Sequence, residues 1–386
     1  MTKKFIKVLA ILVSGVAFGL LLWILAFDGL EKIEGAKSFP EEPQGTYDGY
    51  YYNSLKDDEK IAYEQIMAQI ESFPKKIRVP AIDDEGISDV FDALHYDNAG
   101  FFFLGDNCTI EITNFGTSYF VPEYTMSAEE YKSSKEELDR VRNMILERTQ
   151  SLTDDYDKEI YVHDYIVDRC NYVDKVGGTY SSSYGCLVRG FASCEGYAKA
   201  MKYLLDAMEI ENYLAYGTTE EDSDEDEGHA WNIVKINSDF YHVDVTWDDP
   251  VEAEIENRYA YFNLDDEEIS KTHTADKRFL GVCTEDDENY YVKNDIVFSS
   301  YDNQTRDAIA SELARQMRLG EDTVSFRMEN KQALKAAEEE LFDMNGIYSV
   351  MFSASAIAGR NLTQKEIMYA LDETHMIIII TDFFEQ

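Results

Sequence analysis

A cysteine, a histidine and an aspartate follow one another between residues 194 and 244, each in a setting that suits nucleophilic catalysis. Cys194 lies in the run GFASCEGYA, His229 in GHAWN, and Asp244 in HVDVTW. A thiolate is the attacking form of a cysteine, so a base must take or hold the thiol proton and a carboxylate must orient that base. The types and order of these residues therefore predict a Cys–His–Asp catalytic triad.

The segment after Cys194 predicts an amphipathic helix over residues 195–208, because its apolar residues recur at three- and four-residue spacing. Ser193 is the predicted N-cap, which places Cys194 in the first turn. The helix dipole and the free N–H groups there favour an anion and can lower the pKa of a thiol below its usual value of about 8.5. The same N–H groups suit an oxyanion. A buried, inert cysteine is the alternative interpretation of Cys194 taken alone.

Two strands are predicted to carry His229 and Asp244. Residues 229–236 and 240–247 both alternate in the pattern of a half-buried strand, and Asn237-Ser238 is suited to a tight turn between them. The two segments therefore predict an antiparallel hairpin.

A two-residue turn sets the register of this hairpin, placing residue 229 opposite 246 and residue 231 opposite 244. His229 and Asp244 are then diagonal neighbours on one face, within reach of a side-chain contact. A slip by one residue would put them on opposite faces. His242 shares the face and is a second candidate for the base, ranked lower because it lies in mid-strand beside Asp244, whereas His229 begins its strand close to a loop.

These blocks together resemble the transglutaminase-like superfamily, in the form found in many bacterial surface proteins. The resemblance rests on G-x-x-x-C-E-G-Y-A, G-H-A-W-N and H-V-D-V-T-W-D-D-P in that order, and it extends over roughly residues 150–275. It implies a papain-like α+β fold, in which the helix that bears Cys194 packs on an antiparallel sheet that bears His229 and Asp244. It further implies that Cys194 is the nucleophile, His229 the base and Asp244 its orienting residue.

The chemistry expected from this triad is acyl transfer or hydrolysis at a peptide or carboxamide bond through a Cys194 thioester, with no cofactor required. Tyr184, in the loop before the cysteine, is a candidate second donor to the oxyanion. Trp231 and Trp247 are candidates for the walls of the cleft, with ordinary core packing as the alternative for both.

Members of the superfamily include transglutaminases, proteases and amidases, and some relatives without the triad only bind. The substrate expected here is a protein or peptide, with cell-wall peptide, surface protein and host protein all open. The competing hypothesis is a non-catalytic surface module that binds peptide or cell-wall polymer in the same cleft.

The N-terminus predicts a membrane anchor. Residues 8–27 are uncharged and mostly apolar, long enough to span a bilayer as a helix, with lysines before them and acidic residues after them. Residues 1–28 are therefore predicted as a cytoplasmic N-terminus and signal anchor, with the rest of the chain outside the cell membrane. The alternative is a secreted protein released by signal-peptide cleavage, although such apolar cores are usually shorter and no small-x-small site follows this one.

The net charge of −41 argues against nucleic-acid binding, which needs clustered Lys and Arg, and favours solubility or cationic partners. Five cysteines occur without any CxxC spacing, so no metal site is predicted from them. The sequence leaves open whether Cys170 and Cys186 form a disulfide.

Shifts in composition predict four further divisions of the chain: a linker over 29–46, an N-terminal α/β domain over 47–126, the transglutaminase-like domain over 127–282 and a C-terminal α/β domain over 283–386. Within them, helices are predicted at 57–71, 87–94, 127–149, 306–317 and 331–342, and strands near 101–103, 119–121 and 323–327. The run Met376 to Ile380 predicts a buried central strand.

An acidic run over residues 220–227 leads into Gly228 and His229. It is not an EF-hand, because the twelfth position counted from Asp222 is Ile233 rather than a glutamate. One interpretation is a solvated loop. The other is electrostatic: carboxylates near His229 would favour the imidazolium and attract a cationic acyl acceptor.

Overall fold

The computed structural model describes residues 47–113, 117–219, 228–249, 255, 257–276, 282–362 and 367–383. The chain divides into two compact units, one up to Lys132 and one from Ser133 onward. The predicted anchor over 1–28 and the linker over 29–46 lie outside the described residues. Within the described ranges, no helix combines the length and the apolar character that a bilayer crossing requires.

The described residues of the first unit include three complete α-helices and a three-stranded antiparallel sheet in the order β1-β3-β2. Its helices are α1 (Tyr50–Ser54), α2 (Asp57–Met67) and α3 (Asp84–Asp97), and its strands are β1 (Ile77–Val79), β2 (Leu104–Ile112) and β3 (Ser118–Tyr124). The prediction of a strand at 101–103 was wrong. Phe102 and Phe103 form a turn and are buried, so this aromatic run fills the core just before β2 begins.

A helix that begins in the first unit and continues into the second is followed by helices and short strands that lead to the cysteine. These are α4 (Ala128–Thr149), α5 (Asp155–Val167), β4 (Asn171–Tyr172), a π-helical turn (Gly185–Arg189) and β5 (Phe191–Ala192), followed by α6 (Cys194–Asp206). Ser193 occupies the N-cap position as predicted, but its hydroxyl lies 3.3 Å from the Tyr180 carbonyl and does not cap the first turn. Cys194 is therefore the first residue of α6.

A four-stranded antiparallel sheet packs against α6, in the order β8-β7-β6-β9. Its strands are β6 (Asn212–Thr219), β7 (His229–Ile236), β8 (Asp239–Val243) and β9 (His273–Ala275), with the short helix α7 (Asp266–Ile269) between the last two. Asn232 on β7 donates a hydrogen bond to the Ala198 carbonyl at 3.0 Å, which ties the sheet to α6. The antiparallel sheet and its helix confirm the mixed α+β fold.

The β7–β8 hairpin has the predicted register. Asn232 lies opposite Val243 and Ile236 opposite Asp239, across the two-residue turn at 237–238. Asn237 adopts φ 57°, a left-handed conformation that asparagine tolerates in such turns. The prediction that the second strand runs to 247 was wrong, because β8 ends at Val243 and the chain turns there. Asp244 therefore lies just beyond β8, and the register brings it to the same end of the sheet as His229.

Gly217 on β6 lies between two strands of this sheet. It pairs with His229 on β7 and with Ala275 on β9. A Cβ at this position would lie 2.1 Å from the Thr274 carbonyl oxygen, so a side chain would force β9 away. Glycine thus permits the close approach of β9 to the rest of the sheet.

The remainder of the second unit holds a mixed sheet in the order β10-β11-β13-β12. Its elements are α8 (Tyr290–Lys293), β10 (Val297–Phe298), α9 (Asn303–Leu319), β11 (Thr323–Met328), α10 (Lys331–Glu338), α11 (Ile347–Ala358), β12 (Met368–Asp372) and β13 (Ile377–Thr381). The predicted central strand is confirmed, since β13 pairs with β11 and β12 and buries residues 377–380. The domain boundaries at 127 and 283 stay predictions.

Candidate active site

The three residues of the predicted triad meet at one end of the β6–β9 sheet. His229 Nε2 lies 2.5 Å from Asp244 Oδ2. The half-buried Cys194 thiol lies close enough to the His229 ring to interact with it electrostatically. Because Nε2 faces the carboxylate, Nδ1 is the ring nitrogen left to face the sulfur. The arrangement is that of a thiol, a base and an orienting carboxylate in series.

Asp244 is fully buried, yet all its hydrogen bonds favour the ionised form. Its Oδ1 accepts the backbone N–H groups of Thr246 at 2.9 Å and Trp247 at 3.2 Å. Its Oδ2 accepts from His229 and, at 3.0 Å, from His273 Nε2. Burial alone would raise the pKa of this carboxyl, but the two histidines outweigh burial and hold the pKa well below its usual range.

His229 is also buried, with 7% of its surface exposed. Burial disfavours the charged ring, but Asp244 outweighs burial through its charge and its hydrogen bond, and raises the pKa of His229 to about 10. The ring is therefore an imidazolium at neutral pH, in contact with the Cys194 sulfur. A cation in this position stabilises a thiolate.

His242, the second candidate for the base, belongs to a different pair. Its Nε2 lies 2.9 Å from Asp266 Oδ1, and its Nδ1 accepts a hydrogen bond from Trp231 Nε1 at 3.0 Å. An indole N–H only donates, so Nδ1 carries no proton and the ring donates from Nε2 to Asp266. His242 is committed on both nitrogens and is not the partner of Cys194.

Two clusters of described residues bring possible metal-ligand atoms within 4.8 Å of one another: His229 with Asp244 and His273, and His242 with Asp266 and Cys283. A metal-bound histidine normally donates its second ring N–H to a neighbour. His242 instead accepts at Nδ1, so a metal at its Nε2 would require a ring without either proton. The hydrogen bonds of the other cluster place histidine donors on the Asp244 carboxylate, as a triad requires.

The two candidate wall residues lie against the histidines. The Trp231 ring is almost parallel to His229, at 19° and 6.1 Å between centroids, and is 1% exposed. The Trp247 ring lies 6.0 Å from His229 and 4.6 Å from His273. Both indoles thus replace water around the imidazoles.

Tyr184 does not offer its proton to the site. Its hydroxyl donates to Glu137 Oε2 at 2.9 Å, so an oxyanion would have to break that bond. A different part of the same loop lies close to the first turn of α6. A Cβ on Gly196 would come within 2.6 Å of the Tyr180 carbonyl oxygen and 3.1 Å of the Ser182 nitrogen. The Cys194 N–H, at the start of the helix, remains the oxyanion donor that the fold suggests.

His273 was not foreseen in the sequence. It is buried, it begins β9, and it shares Asp244 Oδ2 with His229.

The acidic run over 220–227, which joins β6 to β7, lies outside the described residues, and its proposed effect on His229 stays a prediction.

The match to a family model agrees with this geometry. Residues 142–245 match the model of the transglutaminase-like superfamily, and this range contains Cys194, His229 and Asp244. This part of the chain is a transglutaminase-like domain.

Three solved structures are similar to the chain that contains this transglutaminase-like domain. A candidate cysteine protease from Cytophaga hutchinsonii has a TM-score of 0.25 and 11% identity, over 36% of this chain and 61% of its own. A TGase has a TM-score of 0.27 and 12% identity, over 53% and 58%. A candidate protease from Parabacteroides distasonis has a TM-score of 0.23 and 11% identity, over 35% of both.

The chain thus spans less than two thirds of the length of each of these structures. No curated protein matches it.

Proposed function

We propose that the transglutaminase-like domain is a cysteine-dependent enzyme that cleaves a peptide or carboxamide bond and carries the acyl group as a thioester on Cys194. The observation that supports this most directly is the contact series from Cys194 through His229 to Asp244. A buried carboxylate, a charged imidazole and a half-buried thiol in contact are the parts that such chemistry needs.

The first half of the reaction forms the thioester. The Cys194 thiolate attacks the carbonyl carbon and the C–S bond forms. The Cys194 N–H lies in the first turn of α6, where an N–H has no acceptor within the helix, so it can donate to the oxyanion. His229 then gives its proton to the departing nitrogen as the C–N bond breaks. Asp244 keeps the ring aligned through both events.

The second half regenerates the thiolate. The neutral His229 ring takes a proton from water or from an amine, which attacks the thioester carbonyl and breaks the C–S bond. Hydrolysis and amine transfer share this intermediate and differ only in the second nucleophile. Trp231 and Trp247 limit the water around His229, which suits selection between the two.

The proposed setting is outside the cytoplasm, with residues 8–27 as a membrane anchor. The support is the apolar run with lysines before it and acidic residues after it. The substrate class in that setting is an extracytoplasmic protein or peptide, including the peptides of a cell wall.

The experiment that tests this function is the pH dependence of iodoacetamide alkylation, read at each cysteine of the full chain by mass spectrometry. Cys194 is expected to react at about pH 6, where a free thiol with a pKa of about 8.5 is almost entirely protonated. The His229→Ala variant should lose this reactivity. Cys108 serves as an internal reference, because burial raises the pKa of its thiol to about 11.

An ordinary thiol profile at Cys194 would contradict the proposal and favour a module that binds peptide or wall polymer in the same cleft. A reactive Cys194 would justify a direct assay of a glutamine-containing protein with a fluorescent primary amine. Incorporation of the amine indicates transfer and release of ammonia alone indicates hydrolysis, and neither should occur with Cys194→Ala.

A further inference from the structure

Asp244 has two histidine partners on one oxygen. His229 Nε2 lies 2.5 Å from Oδ2, and His273 Nε2 lies 3.0 Å from the same atom. The side chain of His273 has no exposed surface and that of Asp244 only 1%. A triad needs one histidine on its carboxylate, so the second one requires its own explanation.

The His273 ring is held in place from several sides. Its Nδ1 lies 2.8 Å from Thr272 Oγ1, and the rings of Trp247 and Trp231 lie 4.6 Å and 5.1 Å from it. A hydroxyl can donate its proton to Nδ1, which leaves the Nε2 proton for Asp244. His273 is therefore a fixed donor aimed at the carboxylate.

His273 still donates to Asp244 at the stage of the proposed reaction at which His229 has lost its positive charge. After His229 has given its proton to the leaving group, its charge no longer stabilises the Asp244 anion. The other donors to Asp244 are the backbone N–H groups of Thr246 and Trp247, and both bind Oδ1. His273 is the second side-chain donor to Oδ2, the oxygen that faces the base.

We propose that His273 is a positioning residue, which holds the buried Asp244 carboxylate ionised and aimed at His229 through the whole turnover. The inference rests on the proposed function of Cys194. His273 contacts neither substrate nor sulfur in this account and acts only through Asp244.

A pair of amide variants tests the role of the Nε2 donor. In His273→Gln the side-chain amide can reach the position of Nε2, whereas in His273→Asn the shorter amide reaches only the position of Nδ1. His273→Phe removes the donor but keeps a ring. His375→Phe is the control, because His375 is also buried and also lies 3.0 Å from a carboxylate, that of Asp372.

The readout is the rate of Cys194 alkylation in the full chain, measured between about pH 5 and pH 11. If the role of His273 were purely structural, its substitution would not shift this rate profile along the pH axis. With His273→Phe we expect the rate near pH 6 to fall by about tenfold or more, as for a shift of one pKa unit in the histidine–thiol pair. His273→Gln should keep most of the wild-type profile. His273→Asn should resemble His273→Phe, and the control His375→Phe should resemble the wild type.

Three results overturn the inference. If the wild type has activated Cys194 and His273→Phe keeps the same profile, His273 does not position Asp244 while the proposed function stands. If His273→Phe fails to fold, equal alkylation profiles of His273→Gln and His273→Asn would likewise show that His273 does not position Asp244. An ordinary thiol profile in the wild type would overturn the proposed function, and this inference with it.

Discussion

The Tyr197 hydroxyl donates a hydrogen bond to Asp249 Oδ2 across 2.6 Å, and this bond joins the helix that carries Cys194 to the loop that carries Asp244. Tyr197 is fully buried and lies one turn after Cys194 on α6. Asp249 lies in the turn that follows Asp244. The two ends of the triad are therefore connected by a second bond besides the contacts through His229.

Tyr197→Phe should weaken this connection without leaving a cavity. Loss of a hydrogen bond to a half-buried charged group predicts a decrease of about 1–3 kcal/mol in the free energy of unfolding, measured by urea denaturation. The alkylation rate of Cys194 should fall as well. Tyr203→Phe is the matched control, because Tyr203 is on the same helix and donates to Asp139 at 2.6 Å. A similar loss of Cys194 reactivity in both variants would show that the Tyr197 bond has no special role.

Asp244→Asn tests whether the negative charge of Asp244 is needed. The amide fills the same space but carries no negative charge, so the pKa of His229 should fall from about 10 towards its usual 6.5. We expect any acyl-transfer rate at neutral pH to drop by about a hundredfold or more. Asp266→Asn, which changes the partner of His242, should leave that rate unchanged. Retention of the rate in Asp244→Asn would remove Asp244 from the mechanism.

The stability of the protein should fall as the pH rises above neutrality. The pKa of His229 is raised to about 10, so its stabilising contribution is fully present below about pH 6.5 and is lost as the pH rises through 10. His163 behaves in the same direction: burial opposes its charge, but Asp164 and Asp248, each 3.1 Å away, raise its pKa to about 9.

Melting temperatures measured from about pH 7 to pH 10 should therefore decrease, with a slope in free energy of up to about 1.4 kcal/mol per pH unit for each proton released. Asp244 contributes with the opposite sign, because its lowered pKa makes its contribution present above about pH 4 and lost only in stronger acid. The His229→Ala variant should show a flatter decrease on the alkaline side. A melting temperature that rises between pH 7 and 10 would contradict both histidine assignments.

Gly196→Ala should displace the first turn of α6. The added methyl would lie 2.6 Å from both the Tyr180 carbonyl oxygen and Ala192 Cβ, so the helix or the loop must move. We expect a loss of about 1–3 kcal/mol in the free energy of unfolding together with slower alkylation of Cys194. Gly228→Ala is the control, since a Cβ at Gly228 would lie 3.7 Å from the Gly217 carbonyl oxygen, an ordinary van der Waals distance. Equal stabilities of the two variants would show that the loop yields without strain.

The proximity of Cys194, His229 and Asp244 could be predicted because each residue has a local signal. The helical period after Cys194 placed the sulfur in the first turn, and the two-residue turn at 237–238 fixed which residues of the hairpin face each other. Register follows from turn length, so the common end of the sheet for His229 and Asp244 could be predicted, although Asp244 lies one residue beyond the strand that was expected to carry it.

His273 could not be predicted in this way. Its strand is three residues long, too short for a period, and it pairs with β6 across the sheet rather than with the strand before it in the chain. Tyr184 failed for a related reason, because its partner Glu137 lies on a helix far away in the sequence. Helix α11 was missed because apolar residues such as Tyr348 and Phe352 are exposed, which hides its amphipathic period.

The distance between the His229 and His273 rings depends on the absence of a Cβ atom at Gly217. His229 pairs with Gly217 on one side of β6, and β9, which begins with His273, passes the other side at a distance that leaves no room for a Cβ. A larger residue there would widen the sheet and carry His273 away from the carboxylate, although it would touch neither histidine. The close spacing of β6 and β9 at Gly217 therefore allows the rings of His229 and His273 to share Asp244 Oδ2.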